Sequence, residues 1–267
     1  MPTSCALDHV CKKFDIPFFE VTLPLLGPGI AAWQCLSSRA WRLPRLAHSM
    51  VPTGWKFFGN LMDSKAIYGK EDYTPFICGE ESFGTGSNHV REKDGMWAVL
   101  AWLSILATKN PDPAKPLVGI EEINMDFWKE FGRNYYVRYD YEGVDKDAAN
   151  ALMKRMASGD ALKETTDLDG YTIASAEVFE YRDPVDDSFS PNQGFCFKFT
   201  DGSRVVFRLS GTGVVGATIR MYLEKYEPAT GDLDQAATEV VKPIAALGLK
   251  LSKLQELTGR AEPTVIT

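Results

Sequence analysis

The chain has 267 residues, of which 45% are hydrophobic and 24% are charged, and its formal net charge at pH 7 is −7. This is the composition of a globular protein with room for one large domain or two smaller ones. The acidic balance argues against a general nucleic-acid-binding protein, which needs a basic face, but it allows a locally basic pocket for a small anion.

The cysteines and the hydrophobic runs indicate a cytoplasmic protein. Five widely spaced cysteines without a CxxC pair, beside three histidines, show no metal-ligand spacing and are typical of free thiols in a reducing cytosol. No signal peptide is evident after Met1, and the longest apolar run, residues 96–107, is short of the roughly 20 residues that span a bilayer. We expect neither a membrane nor a nucleic acid as partner.

The first fifty residues contain an unusual segment. Apolar residues at helical spacing predict a helix over 7–14, and the run IPFFEV predicts a short strand over 16–21. Residues 22–50 then contain no Asp or Glu, but three Pro, three Arg and two Trp. Because this segment shows no sustained period of 2 or 3.6, we expect a disordered insert.

Beyond Pro52 the patterns change once, near Gly132. Before that point, PTGWKFFGNLM leads to a short strand, to the loop GEESFGTGS and to the apolar run 96–107, which predicts a buried helix. After it, NYYVRYDYEG, YTIASAEVFEY, GFCFKFTDGSRVVFRL and ATIRMYLEKYE predict strands, with TDGS as a hairpin turn. Helices are predicted around 147–157 and over 235–259. This order indicates an α/β domain over 1–132 and an α+β domain over 133–267.

The stretch RLSGTGVVGATIR has the composition of an anion site. Arg208 and Arg220 flank a turn that contains Ser210, Gly211 and Thr212. Glycines let backbone N–H groups turn inward, hydroxyls add donors, and arginines bind phosphate in bidentate fashion. The Gly-Lys-Ser/Thr ending of a Walker A loop is missing. A plain glycine-rich hairpin with surface arginines remains the alternative from the residues alone.

A second stretch, CGEESFGTGSNHVREKDG, offers groups suited to a sugar. Glu80 and Ser82 supply an acceptor and a hydroxyl, and His89 and Lys93 follow as cations. The alternative is a solvated loop in which His89 is satisfied locally, because charge runs are usually surface features. The TGWK stretch at residues 53–56 is uninformative by itself, and its tryptophan is typical of a core position.

Taken together, these stretches resemble a known family. PTGWKFFGNLM, CGEESFGTGS, HVREKDGMWAVLAWLSILA, FTDGSRVVFRLSGTG, GATIR and TGRAEPTVIT are similar, in this order, to the C-terminal half of the α-D-phosphohexomutase superfamily, and most of all to phosphoglucomutases. The resemblance covers nearly everything outside 22–50. It implies a third domain of three-layer α/β fold that lacks its opening strand. An α+β domain with an antiparallel sheet and helices on one face is implied to follow.

The resemblance also implies a reaction and its binding residues. The family interconverts glucose 1-phosphate and glucose 6-phosphate through glucose 1,6-bisphosphate, with a phosphoserine in the first domain and Mg²⁺ in the second. Residues implied to contact the sugar are Thr53, Gly54, Glu80, Ser82, His89 and Lys93. Residues implied to hold the phosphate that is not transferred are Arg208, Ser210, Gly211, Thr212 and Arg220.

The sequence departs from the family in ways that bear on activity. Neither a TASHNP-like serine loop nor a DGDGD-like aspartate loop occurs in the 267 residues. Because phosphoryl transfer needs a donor and a metal, we expect no catalytic residue, no metal site and no activity in this chain alone, whereas a full-length relative would act as a monomer. Asn88 replaces the usual Asp, and Val214 and Val215 replace small polar residues, which we expect only to weaken the phosphate loop.

Two alternatives to an enzyme fragment remain open from the sequence. One is a non-catalytic phosphosugar-binding or structural relative, and the other is a splice or gene-model product without a function. An intact SGTG turn with both arginines favours substrate binding over the structural alternative.

The predicted insert can be tested by limited proteolysis. We expect trypsin to cut after Arg39, Arg42 or Arg45 before it cuts elsewhere, because exposed, unpacked backbone is cleaved first. The first fragments should be identified by mass spectrometry. Early cleavage confined to other sites would show that this segment is packed.

Overall fold

The structure is a computed structural model that describes residues 3–14, 18–19, 48–49, 52–75, 77–210 and 216–267. Its helices are α1 (Ala6–Lys13), α2 (Trp55–Asp63), α3 (Gly95–Lys109), α4 (Ile120–Phe131), α5 (Lys146–Ala157), α6 (Asp160–Glu164), α7 (Ala237–Val240), α8 (Lys242–Ser252) and α9 (Leu254–Thr258). Its strands are β1 (Phe18–Phe19), β2 (His48–Ser49), β3 (Ile77–Gly79), β4 (Thr85–Ser87), β5 (Arg133–Val144), β6 (Ile173–Arg182), β7 (Phe189–Phe199), β8 (Arg204–Ser210), β9 (Ala217–Glu227) and β10 (Val265–Ile266).

A six-stranded antiparallel sheet organises residues 133–267. Its strand order is β10-β5-β9-β8-β7-β6, and the predicted TDGS turn joins β7 to β8. Alternation along β9 buries Ile219, Met221 and Leu223 in the core that α5 and α8 cover. The intervening side chains of β9 therefore point to the opposite face, toward residues 1–132. The predicted strands of this region are confirmed.

The prediction of one continuous helix over 235–259 is wrong. The structure divides it into α7, α8 and α9. Pro243 lies in the first turn of α8, where a missing N–H costs nothing, and Lys253 between α8 and α9 has a left-handed φ of 51°. The apolar face is still correct, because Ile244, Leu247 and Leu251 are fully buried.

Within residues 1–132, α2 packs against the other face of this sheet. Two small sheets lie here, β1-β2 parallel and β3-β4 antiparallel. Phe57 and Leu61 of α2 share a buried cluster with Tyr181 and Tyr222 of the six-stranded sheet. The rings of Phe57 and Tyr181 meet edge to face, with centroids 5.3 Å apart. The sheet is therefore covered by helices on one side and by α2 on the other.

Helix α3 was predicted to be buried, and that prediction is wrong. The helix forms where the apolar run indicated, but none of its residues is buried, and Met96, Leu100 and Leu103 are 70%, 59% and 55% exposed. Within the described ranges its neighbour is chiefly β4, which is too short to cover a helix that is apolar nearly all round. Among the described residues, no helix is both long enough and apolar enough to span a membrane.

The segment over 22–50 lies almost entirely outside the described residues. At its end, His48 and Ser49 form β2 and pair with Phe18 and Phe19, inside the strand expected over 16–21. The expected disorder of residues 22–47 stays a prediction. None of the four described cysteines forms a disulfide, and Cys35 lies outside the described residues.

A buried ion pair joins the start of the chain to the sheet. Arg204 Nε lies 2.5 Å from Glu224 Oε2, and the two side chains are 6% and 2% exposed. Glu224 Oε1 also accepts hydrogen bonds from Ser4 Oγ, the Cys5 N–H and Asn134 Nδ2, at 3.0, 2.7 and 2.9 Å. Burial by itself lowers the pKa of Arg204, but the Glu224 charge, its hydrogen bond and the nearby Cys5 and Cys196 together raise this pKa above its ordinary value.

We expect Glu224→Gln to destabilise the chain by about 3 kcal/mol, because it leaves the buried Arg204 charge without a counter-charge. Urea unfolding monitored by circular dichroism would measure this change. The matched control is Glu256→Gln, since that carboxylate is 71% exposed and 3.9 Å from its lysine partner. Equal stabilities of the two variants would show that the buried pair is not a constraint on the fold.

Candidate functional site

Two of the predicted sugar-binding residues contact the carboxylate of a third, Glu80, and a fourth lies next to them in sequence. Glu80 Oε1 accepts a hydrogen bond from the Gly54 N–H at 3.1 Å, and Glu80 Oε2 lies 2.5 Å from Lys93 Nζ. The bond to Glu80 raises the pKa of Lys93 above its ordinary value. Thr53 directly precedes Gly54, and its Oγ1 is buried without a hydrogen-bond partner among the described residues. The start of α2 and the loop after β3 are thereby held together.

Glycines make this arrangement possible. Gly54 has a φ of 136°, a conformation that residues with a Cβ rarely adopt, and it stands just before α2. At Gly84 an added Cβ would come 2.7 Å from Lys93 Cδ, so a side chain there would displace the lysine from its present position. The Lys93 ammonium also lies 6.0 Å from the centroid of the Trp55 ring, which is buried as its TGWK context suggested.

The other two predicted sugar residues are not part of this cluster. His89 Nε2 is 2.8 Å from Asp94 Oδ2, and Asp94 also accepts from the Trp97 N–H at the start of α3. The hydrogen bond from His89 holds the pKa of Asp94 below its usual value. Ser82 is exposed in the loop after β3. His89 therefore supports the start of α3 through Asp94. This agrees with the alternative in which the side chain of His89 is satisfied within its own loop.

The two arginines of the predicted phosphate site are direct neighbours. Arg208 on β8 and Arg220 on β9 are cross-strand partners, and Ser210 pairs with Thr218 further along. Like charges directly opposite on a sheet repel each other, so this pair favours an anion between them. Gly211 and Thr212 lie outside the described residues.

A buried contact links the two groups of residues. The Tyr222 hydroxyl lies 3.5 Å from Glu81 Oε1, and both side chains are buried. Tyr222 stands two residues from Arg220 on the same face of β9. The pKa of Tyr222 is raised above its ordinary value, first by burial and then by the Glu81 charge, although Arg220 and Arg208 act in the opposite direction. The loop that carries Glu80 and the arginine pair therefore meet at Tyr222.

The described residues offer no metal centre. Within those ranges, no group of three or more His, Cys, Asp or Glu side chains could hold a metal ion. The described side chains therefore do not form a site for the Mg²⁺ ion, which the resemblance assigns to the second domain of the family. No step proposed below passes through a metal.

Comparison with known families agrees with this architecture. A model described as phosphoglucomutase/phosphomannomutase, alpha/beta/alpha domain III, matches residues 38–122, and one described as phosphoglucomutase-1, C-terminal domain, matches residues 133–264. The chain belongs to the phosphoglucomutase family. The first match begins inside the segment 22–50, so part of that segment aligns with the family.

Individual phosphoglucomutases are similar over the whole of this chain. It is 47% identical to the cytoplasmic phosphoglucomutase of Mesembryanthemum crystallinum, covering 100% of this chain and 41% of the relative. It is 46% identical to the chloroplastic phosphoglucomutase of Arabidopsis thaliana, of which it covers 37%. The chain thus spans about two fifths of the length of these relatives.

A solved structure supports the fold class. The open form of the exocytosis-sensitive phosphoprotein pp63/parafusin, a phosphoglucomutase from Paramecium, matches with a TM-score of 0.74 and 46% identity. The match covers 100% of this chain and 39% of that one. An alpha/beta/alpha third domain followed by a sheet-and-helix domain is therefore confirmed.

Sequence reasoning missed two residues of this candidate site. Glu81 was passed over because the pattern of the GEES loop does not show which of its two acids turns inward. Tyr222 reads as an ordinary strand residue, although its spacing of two from Arg220 places both on one face. That spacing was the signal that could have found Tyr222.

We expect Thr53→Val to leave stability unchanged or raise it by about 1 kcal/mol, because a methyl group replaces a buried hydroxyl without a partner. If that hydroxyl serves the substrate, glucose 6-phosphate should bind more weakly. Thermal unfolding and calorimetric titration measure the two effects. Thr108→Val, which alters an exposed hydroxyl bonded to the Ser104 carbonyl, is the control. A marked loss of stability in Thr53→Val would contradict this interpretation.

Proposed function

We propose that this chain binds the sugar and the non-transferred phosphate of a glucose phosphate, as the substrate-recognition part of a phosphoglucomutase. The observation that carries the proposal is the cross-strand pairing of Arg208 with Arg220. Two guanidinium groups side by side are costly without an anion and well suited to a phosphate dianion, which both can bind with bidentate geometry.

The sugar belongs beside this anion. Glu81 and Tyr222 bring the loop after β3 to the strand that carries Arg220. A hexose phosphate with its phosphate on the arginines would therefore extend toward Glu80 and Lys93. We propose that Glu80 accepts hydrogen bonds from sugar hydroxyls, while Lys93 holds its carboxylate in position. Thr53, Gly54, Ser82 and His89 are proposed to line this path, and Ser210, Gly211 and Thr212 to add phosphate donors.

The interconversion of glucose 1-phosphate and glucose 6-phosphate is proposed for the whole enzyme of the family. The phosphoryl donor and the Mg²⁺ site would be supplied by parts of the enzyme that these 267 residues do not contain. Those parts would also carry out phosphoryl transfer to and from glucose 1,6-bisphosphate. We further propose that the domain boundary lies near residue 132 and that the full-length enzyme is a monomer. A cytoplasmic location is proposed from the names of most of the relatives, one being chloroplastic.

We expect Arg208→Ala and Arg220→Ala each to weaken glucose 6-phosphate binding by about ten- to a hundredfold, since a charged hydrogen bond contributes roughly 1.5–3 kcal/mol. Arg→Lys should recover only part of this affinity, because lysine lacks the bidentate fork. Isothermal titration of the full chain, at two salt concentrations, measures the loss and its ionic character.

The matched control for these variants is Arg182→Ala. Arg182 is exposed at the other end of the same sheet, where it donates to the Asp187 carbonyl. It should leave affinity unchanged. If both Arg208→Ala and Arg220→Ala bind glucose 6-phosphate with wild-type affinity, the two arginines do not hold its phosphate and the stretch between them is a plain hairpin.

We expect the purified chain to show no mutase turnover with glucose 1-phosphate, glucose 1,6-bisphosphate and Mg²⁺. A phosphoserine loop and an aspartate loop of the family kind are absent from its sequence. The coupled assay should use protein expressed in a host without its own mutase. Turnover in that preparation would require a phosphoryl donor among these 267 residues and would overturn the proposed division of labour.

A further inference from the structure

A buried carboxylate stands next to the arginine pair without an assigned role. Asp140 lies on β5, is 4% exposed, and is the cross-strand partner of Arg220. Arg220 is in turn the partner of Arg208. The row across β8, β9 and β5 therefore reads Arg208, Arg220, Asp140 on one face of the sheet.

The contacts of Asp140 are directed at two arginines. Its Oδ1 accepts a hydrogen bond from Arg138 Nε at 2.8 Å, and its Oδ2 lies 3.6 Å from Arg220 Nε. Arg220 Nε is buried and has no hydrogen-bond partner among the described residues, so this carboxylate oxygen is its nearest charged neighbour in the described ion pairs. The carboxylate thus lies beside the Arg220 guanidinium group on its Nε edge.

We propose that Asp140 is a positioning residue for Arg220. Its ion pair holds the Arg220 guanidinium group in place next to Arg208 for the phosphate, and Arg138 in turn fixes Asp140. The proposal rests on the proposed function, because it assumes that Arg220 binds a phosphate. Arg138, Arg208, Arg220 and Asp140 together carry two more positive than negative charges, which matches a phosphate dianion.

Simple electrostatics predicts the opposite effect for this residue. A carboxylate close to an anion site repels the anion, so its removal should tighten phosphate binding if charge alone mattered. In the positioning role, removal frees Arg220 to turn away from Arg208, and the order that bidentate binding needs is lost. The direction of the change in affinity therefore separates the two roles.

The test is titration of glucose 6-phosphate, and separately inorganic phosphate, into the full chain and its variants. Asp140→Asn should weaken the binding of both ligands by about tenfold, which is the lower end of the loss expected for a charged contact. In an Arg220→Ala background, Asp140→Asn should cause no further loss, because nothing remains to be positioned. Asp183→Asn is the control, since Asp183 is a fully buried carboxylate bonded to Asn60 on a distant part of the sheet.

A spectroscopic readout separates positioning from general destabilisation. The Arg220 Nε–H resonance should be a sharp, slowly exchanging signal in the wild type and in Asp183→Asn, and broadened in Asp140→Asn. Unchanged or tighter binding by Asp140→Asn, while Arg220→Ala weakens binding, would overturn this inference and leave the proposed function intact. Unchanged binding by Arg220→Ala, or no binding by the wild type, would overturn both.

Discussion

The buried pair of Arg204 and Glu224 constrains both the register of the sheet and the position of the first residues of the chain. A buried ion pair adds little net stability, because desolvation offsets most of the attraction, but a misplaced partner is very costly. The pair is therefore better understood as a device for specificity. Since Arg204 faces Glu224 across β8 and β9, Arg208 must face Arg220 four residues further on. A slip of one residue in either strand would turn the arginine of that strand to the helix-covered face.

The same sheet serves as a platform with two different sides. The side under α5 and α8 is a conventional apolar core, whereas the other side changes along the strands from ion pair to aromatic contact to arginine pair. Tyr222 occupies the middle of this sequence and is the point where Glu81 arrives from the preceding region. The proposed substrate recognition by the loop after β3 and by the arginines would consequently depend on how α2 and this loop pack on the sheet.

Local patterns predicted what is local in this protein. Alternation along β9 was sufficient to place Arg220 on the face opposite the core, and the apolar run predicted α3. The break at Lys253 was missed because its left-handed backbone has no glycine to mark it. Asp140 was missed for a different reason: its role depends on strand pairing with β9, eighty positions away in sequence, and RYDY looks like any strand with a polar face. Sites built by long-range pairing leave little trace in a short window.

The exposed face of α3 has a consequence for the fate of the chain in a cell. Met96, Leu100 and Leu103 lie one helical turn apart and form a continuous apolar stripe in contact with water. Chaperones and proteases recognise such stripes as a mark of incomplete folding. Surveillance of α3 is thus expected to influence the abundance of this chain in vivo.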